Sequence, residues 1–516
     1  IRALKRAACE RFGPESGQTY LPRKRPPSNG MRVAVVGAGP AGISCAYYLA
    51  INGYEVTIYE STPVVGGMLY LGIPEYRLPR YLIKMEFERV LRLGVQLQTG
   101  WMLGRDFSLQ TLLDQDYRAV FLGIGATKSK SITLPGADLD GVINGVDFLI
   151  NVNLGYKVDI SERVIVIGGG NVAIDVARSA LREEETAEAD DGSATIDAAR
   201  AALRLGAKEV SVVCLETWDE MPAHRYEIEE AEAEGVTFYT SKAPKKILGE
   251  GGNVTGLEVV DVLSVFDHEG RFNPTLLDNT ETVIAGNTVL LAVGQEINRE
   301  SFALDDTLEL SPGGTIKVDP DTLVTNLPGV FAGGDAVFGP RIVIDSVANG
   351  KRAARSIMSH IDPATPAKTT YHFAALDTTS YTMPEGFERT DCVPIPQVSV
   401  DRRTGFAEVE LGYTPGQARE EAARCMKCNI NTVFDGAKCI LCGGCVDVCP
   451  MNCLRITRTF RLRTEDGAPV EPPGVPENFA IIKDETLCIR CCLCAKRCPT
   501  GAITMERVIF DEYTNA

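Results

Sequence analysis

Twelve of the sixteen cysteines lie within residues 425–516, and eight of these form two runs of one spacing. The first is Cys439-x-x-Cys442-x-x-Cys445-x-x-x-Cys449-Pro450, and the second is Cys488-x-x-Cys491-x-x-Cys494-x-x-x-Cys498-Pro499. Loops this tight suit a compact cube of iron and sulfide gripped by four thiolates. Disulfide frameworks belong to small secreted domains, whereas this chain has 516 residues, and residues 1–30 hold no apolar leader. Metal ligation in a reducing, cytoplasmic compartment is therefore expected. Only four histidines are present (His224, His268, His360 and His372), which argues against a His-based hydrolytic mechanism.

The two runs resemble the bacterial two-cluster ferredoxins. That resemblance implies two [4Fe–4S] clusters with crossed ligation, the last Cys of each run serving the other cluster. Cluster 1 is then held by Cys439, Cys442, Cys445 and Cys498, and cluster 2 by Cys488, Cys491, Cys494 and Cys449. Cys453 and Cys492 are expected to pack beside the clusters. Cys425 and Cys428 form a further CxxC, open between a zinc or third-cluster site and inert thiols; no third and fourth ligand is evident.

The remaining composition narrows the partners. A net charge of −17 argues against non-specific binding to nucleic acid or anionic membranes. No uncharged apolar run reaches the length of a membrane span. The chain begins at Ile1 rather than Met, which leaves room for a missing N-terminal piece.

Two glycine fingerprints lie upstream. VAVVGAGPAG reads as a buried strand, then Gly37-x-Gly39-x-x-Gly42, then an Ala-rich helix; a second strand ends at Glu60, 21 residues after Gly39. Strand, glycines, helix and acid together make a dinucleotide site: the glycines admit a pyrophosphate to the helix N-terminus, and the acid accepts from ribose hydroxyls. GGMLYLGIP (66–74) follows; its Gly66 and Gly67 read equally as a simple turn. VIVIGGGNVAID repeats the arrangement with Gly168-x-Gly170-x-x-Ala173, and the next strand ends at Glu216. Gly170 to Glu216 spans 46 residues, too many for the usual spacing of about 20. AIDVARSALR (173–182) recurs as TIDAARAALR (195–204), with the acidic EEETAEADD after the first copy. Removing one 22-residue repeat unit leaves 24, which fits. Gly294 in TVLLAVGQ is expected to return to this site.

The motifs GAGPAG, GGMLYLGIPEYRLP, GGGNVAIDVAR, EMPA, AGGD and FAEVELGYTPGQAREEAARCMKC resemble the glutamate synthase small subunit and related two-dinucleotide flavoproteins. The resemblance covers residues 1 to about 428. It implies an α/β chain with two Rossmann-like domains plus a small α+β iron–sulfur domain. The expected divisions are a helical arm (1–30), a first FAD-domain segment (31–150), an inserted NAD(P) domain (151–297) with an acidic insertion (183–204), a second FAD-domain segment (298–362), a linker arm lying on the surface (363–424) and a ferredoxin domain (425–516). The implied FAD contacts are Gly37, Gly39, Pro40, Ala41, Gly42, Glu60, Gly67, Met68, Leu69, Ile73, Arg77, Gly125, Ala126, Gly334, Asp335, Ile342, Val343 and Ile344. The implied NAD contacts are Gly168, Gly169, Gly170, Asn171, Val172, Glu216 and Gly294.

Where the family carries Arg residues before EMPA, this chain reads LETWDEMPA. A carboxylate there favours NADH over NADPH, unless Glu216 faces solvent and Arg178 or Arg225 takes the 2′-phosphate. No catalytic side chain is needed, because the cofactors carry the chemistry. The expectation is an enzyme moving electrons between NAD(H) and ferredoxin or a partner redox subunit through FAD and both clusters, within a multisubunit complex, with an electron-bifurcating complex as a rival of the same class. The alternative is a non-catalytic wiring subunit with a closed nicotinamide site. Disulfide exchange of the thioredoxin-reductase kind fits poorly, since the inserted domain offers only Cys214.

Overall fold

The computed structural model describes residues 1–12, 27–182, 207–304, 307–364, 370–382, 391–403, 405–424, 429–459 and 479–511. Cys425 and Cys428, the acidic insertion and the Pro-rich stretch 468–478 lie outside these residues. The chain divides into two compact units: residues 19–367 with 397–411, and residues 1–18, 368–396 and 412–516.

The larger unit is built on two parallel sheets of like order. In the first, β1 (Arg32–Val36), β2 (Glu55–Glu60), β3 (Gln96–Thr99), β4 (Tyr117–Leu122) and β16 (Val330–Ala332) run in the order β16-β4-β1-β2-β3. Val33, Ala34 and Val35 are fully buried, as continuous apolar runs must be in a sheet covered on both faces. The strand order reverses between β1 and β4, which opens a crevice at their carboxyl ends, where doubly wound folds bind ligands. The second sheet runs β6-β14-β7-β8-β9, from β6 (Val142–Asn144), β7 (Arg163–Ile167), β8 (Glu209–Val213), β9 (Thr237–Tyr239) and β14 (Thr288–Leu291). It thus begins before residue 151. An antiparallel sheet that no motif announces stands beside it, built from β10 (Lys242–Glu250), β11 (Asn253–Phe266), β12 (Phe272–Leu276) and β13 (Thr282–Ala285). A two-stranded ribbon, β5 (Lys128–Ser129) with β15 (Gln295–Glu296), joins the halves. The chain leaves the helix Asn171–Leu181 at residue 182 and re-enters at Ala207, whose N–H donates to Ala180 O at 3.2 Å.

The smaller unit has β17 (Thr370–Ala375), β18 (Ile430–Phe434) and β21 (Ile503–Asp511) in the antiparallel order β17-β21-β18, and a hairpin of β19 (Leu454–Arg458) and β20 (Phe479–Lys483). Within the stretch expected as a surface arm, β17 pairs with β21 in this sheet, and 397–411 belongs to the larger unit. The helix Pro415–Ala423 starts at a reciprocal capping box of Thr414 and Gln417, with Pro at its first turn. Among the described residues, no helix is long and apolar enough to cross a membrane.

Candidate functional site

The first glycine loop lines a cavity of about 260 Å³ at the carboxyl end of β1. Local sterics dictate the glycines: a Cβ on Gly42 would stand 1.9 Å from Gly37 O, and one on Gly37, at φ +104°, would stand 2.4 Å from Gly123 O. Pro40 opens the helix Pro40–Ala50 at its first position, which aims free N–H groups at the cavity. Gly67 has φ +52°, and a Cβ there would lie 2.9 Å from Gly39 Cα. The GGM segment is thus a second backbone wall pressed on the first loop, not a simple turn. Glu60 is buried; one carboxylate oxygen accepts from Ala38 N–H at 2.8 Å, and the other from the Thr62 backbone N–H at 2.8 Å. Asp335 heads a short helix on the far wall, and burial pushes its carboxyl above the ordinary range.

Gly37, Gly39, Pro40, Ala41, Glu60, Gly67, Met68, Gly125, Gly334 and Asp335 all line this cavity. Leu69, Ile73, Ala126, Ile342, Val343 and Ile344 do not, although the last three stand exposed at the start of the helix Val343–Ile361. Arg77, expected at the flavin, does not line the cavity either; its guanidinium pairs with Asp175 at 2.6 Å and with Glu227. Sequence reasoning misses Ser61, Thr62, Trp101 and Ser346 on the cavity wall. Trp101 follows the end of β3 and is 46% exposed, so an isolated aromatic just past a strand's end is the signal that could have found it.

A glycine cradle that Cβ atoms would fill, a helix N-terminus and a buried acid at the end of the second strand suit the pyrophosphate and ribose of a dinucleotide. These residues fit FAD.

The second loop repeats the geometry. A Cβ on Gly168, at φ +142°, would meet Ala292 O at 2.4 Å, whereas one on Gly170 would meet nothing within 4 Å. The turn is forced at Gly168, and the approach for a phosphate is open two residues later. Glu216 Oε2 lies 2.7 Å from the point a Cβ on Gly169 would occupy. The strand expected to end at Glu216 ends at Val213, so by register Cys214 stands where Glu60 ends β2, and Glu216 reaches the loop from two residues further on. Asn171 Oδ1 accepts from His224 N–H at 2.8 Å, and Gly169 O from Ala223 N–H at 3.1 Å, tying the 216–224 loop to the glycines. Gly294, at φ +116°, faces the Lys130 stem. Val172 lies on the following helix.

Neither arginine considered for a 2′-phosphate is free. Arg178 is 1% exposed and paired with Glu230 and Glu234, while Arg225 pairs with Asp219 and Glu229 and lies over the Trp218 ring. Burial pushes the Cys214 thiol up to about 12, and Cys45, fully buried, is pushed up further. Thiols held neutral this way do not serve disulfide exchange.

In the smaller unit, one cavity is lined by Cys449 together with Cys488, Cys491 and Cys494. Cys453 and Cys492 line it too, and Cys453 Sγ is 3.3 Å from Cys449 Sγ. Leu441 and Arg490, each two residues past the first cysteine of its run, have φ of 53° and 56°. Gly443 and Cys492, two residues further on, have 76° and 71°, so both runs fold alike. Cys439, Cys442 and Cys445 sit on the first run, with Cys442 exposed and Cys445 buried; Cys498 ends the helix of the second. The buried Arg490 Nε has no hydrogen-bond partner among the described residues, which suits an acceptor-rich, negatively charged cluster beside it. Among the described residues no three His, Cys, Asp or Glu side chains converge on a single ion, whereas thiolates around a four-iron cube stand farther apart. The donor set fits iron–sulfur clusters.

Comparison with known proteins agrees with these sites. Residues 31–354 match the family model described as pyridine nucleotide-disulphide oxidoreductase, and residues 438–502 match the 4Fe-4S dicluster domain. The chain is 39% identical over 413 residues to the NADP(+)-dependent formate dehydrogenase subunit beta of Moorella thermoacetica, covering 78% of this chain and 55% of that one. It is 32% identical over 345 residues to the glutamate synthase [NADPH] small chain of Halomonas elongata, covering 64% and 68%. The chain thus spans little more than half of the first relative's length. Among solved structures, FprA of Mycobacterium tuberculosis in complex with NADPH aligns with a TM-score of 0.53 at 19% identity, over 65% of this chain and 85% of that one, a likeness of fold alone.

Proposed function

The chain belongs to the pyridine nucleotide-disulphide oxidoreductase family, with the glutamate synthase small chain among its relatives, and on that basis we propose that it moves electrons between NAD(H) and a one-electron partner. It is a flavin and iron–sulfur oxidoreductase. The observation that carries the reading is the presence, in one chain, of two dinucleotide loops and a dicluster module. Bound at the first loop, FAD supplies the exchange of one hydride, two electrons with a proton, for two single electrons and a released proton.

The residues bind and orient. Gly39 and Pro40 present the helix N-terminus to the FAD pyrophosphate, and Glu60 accepts from its ribose. Gly168 and Gly170 do the same for the nicotinamide dinucleotide. Cys439, Cys442, Cys445 and Cys498 would hold one cluster, and Cys488, Cys491, Cys494 and Cys449 the other; bound there, the clusters would supply one-electron transfer toward ferredoxin or a further subunit. The relative named subunit beta supports placement in a multisubunit enzyme.

For the nucleotide we propose NADH, a reading supported by the Glu216 carboxylate lying against Gly169 of the second loop. A second reading, NADPH, is favoured by the names of the relatives, which specify NADP(+) or NADPH. Among the described residues nothing lies within 4 Å of a Cβ placed on Gly170, which argues against the alternative of a wiring subunit with a closed nicotinamide site.

The flavin is expected to be FAD held without a covalent bond. Acid release followed by chromatography should return FAD in about equal amount to protein; recovery of FMN alone would overturn the dinucleotide reading of the first loop.

A further inference from the structure

Four arginines and four carboxylates are gathered where the flavin half, the inserted domain and the 397–411 segment meet. Arg77 comes from the flavin half and pairs with Asp175 at 2.6 Å and with Glu227. Asp175, Arg178 and Arg182 lie on or just after the second fingerprint helix, Asn171–Leu181; Glu227, Glu230 and Glu234 lie on or just after the helix Arg225–Ala233. Arg178 binds Glu230 at 2.9 Å and Glu234 at 2.7 Å. Arg182 and Arg403 bind the same Glu234 carboxylate at 3.1 and 3.0 Å. Arg403 O accepts from Arg182 at 2.8 Å, and Gln397 donates to Glu230 at 2.6 Å. Val409 N–H donates to Tyr76 O at 3.2 Å, returning the segment to the flavin half. The Tyr76 ring carries the Arg182 guanidinium 3.7 Å from its centroid and that of Arg178 at 5.1 Å.

A buried charge cluster is a poor stabiliser. Desolvation offsets much of the attraction, and apolar residues of similar volume often serve as well. Here the cost is visible: Tyr76 Oη, Arg182 Nε and Glu227 Oε2 are buried without a hydrogen-bond partner among the described residues. What such a cluster does supply is direction, since each guanidinium fork accepts its carboxylates in one geometry. The helix it grips is the one that presents Gly170 and Asn171 to the nucleotide, and the loop it grips, Gly72–Pro79, follows the GGM wall of the flavin cavity.

We propose that this cluster, closed by Arg403 and Gln397 from the 397–411 segment, is a positioning device that holds the nicotinamide-binding helix in register with the flavin cavity. Arg403 is a positioning residue: it touches neither dinucleotide loop and acts through Glu234. The inference rests on the proposed nicotinamide–flavin reaction and adds a requirement to it.

Anaerobic stopped-flow reduction of the full, cofactor-loaded chain by NADH tests it, with the limiting rate and the apparent Kd read separately. Arg403→Met is expected to lower the limiting rate about ten- to a hundredfold, the scale of a misplacement of about 1 Å, with the Kd within about threefold and FAD content unchanged. Arg403→Lys, which keeps the charge but loses the fork, should recover only part of the rate. Should Arg403→Met fail to fold, Gln397→Ala carries the test, with a smaller fall in rate at constant Kd. An unchanged limiting rate, or rate, affinity and FAD content falling together, would overturn the proposal. Hydrogen exchange of residues 72–80 and 171–182 gives a readout independent of the reaction: it should rise in Arg403→Met, and unchanged exchange would also overturn it. Wild-type protein that NADH does not reduce would instead contradict the proposed function, while the exchange comparison would still judge the device.

Discussion

Replacing Glu216 with Arg is expected to shift the ratio of FAD reduction rates with NADH and NADPH toward NADPH by about a hundredfold or more. The Glu216 carboxylate sits against Gly169 of the second loop. There it would accept from the ribose 2′- and 3′-hydroxyls. A 2′-phosphate would instead face a like charge, which at about 4 Å and an effective dielectric of about 20 costs on the order of 4 kcal/mol. Glu216 is half-buried, so water and salt reduce this to a fraction. An arginine removes the repulsion and adds a bidentate phosphate partner. Rates at matched NADH and NADPH concentrations provide the check. Wild-type preference for NADPH, or an unchanged ratio in the variant, would show that Glu216 does not set the choice and would favour the NADPH reading.

Cys449→Ser is expected to remove or convert one cluster and leave the other intact, with the loss falling on the cluster of Cys488, Cys491 and Cys494. Cys449 belongs to the first run but lines the cavity of the second run's cysteines. Oxygen is a weaker ligand than thiolate for iron–sulfur clusters. Because Cys453 Sγ lies 3.3 Å from Cys449 Sγ, the substitution should also be made with Cys453→Ala, so that no neighbouring thiol stands in. Iron content near half of the wild-type value, with one reduced-cluster EPR signal retained, is the expected outcome. A change confined to the cluster of Cys439, Cys442 and Cys445 would contradict crossed ligation.

The features readable in the sequence are those in which local chain geometry and chemistry coincide. Both glycine loops are legible because close packing and positive φ leave no choice but glycine at Gly37 and Gly168, and close packing alone does so at Gly42. The parallel strands are legible as continuous apolar runs bounded by those loops, and the cysteine runs by spacing alone. Side-chain partners chosen across the fold are not. Arg77 reads as a residue beside the GGM segment, yet its partner Asp175 is 98 residues away. Asp175 itself reads as an ordinary polar position in an Ala-rich helix. The 397–411 segment reads as two short alternating stretches split by the polar DRRTG, and nothing local reveals that Arg403 reaches a buried Glu234. The antiparallel strands β10–β13 lie between the motifs and carry no site residue, so no chemical signal marks them.

The central claim is that reducing equivalents enter at the second glycine loop and leave through the clusters. Anaerobic titration of the purified chain with NADH, followed by flavin absorbance and low-temperature EPR together, tests it most directly. The account predicts bleaching of the flavin band and the appearance of reduced-cluster signals in the same titration. Clusters that dithionite reduces but NADH does not, beside a flavin that keeps its colour, would contradict it.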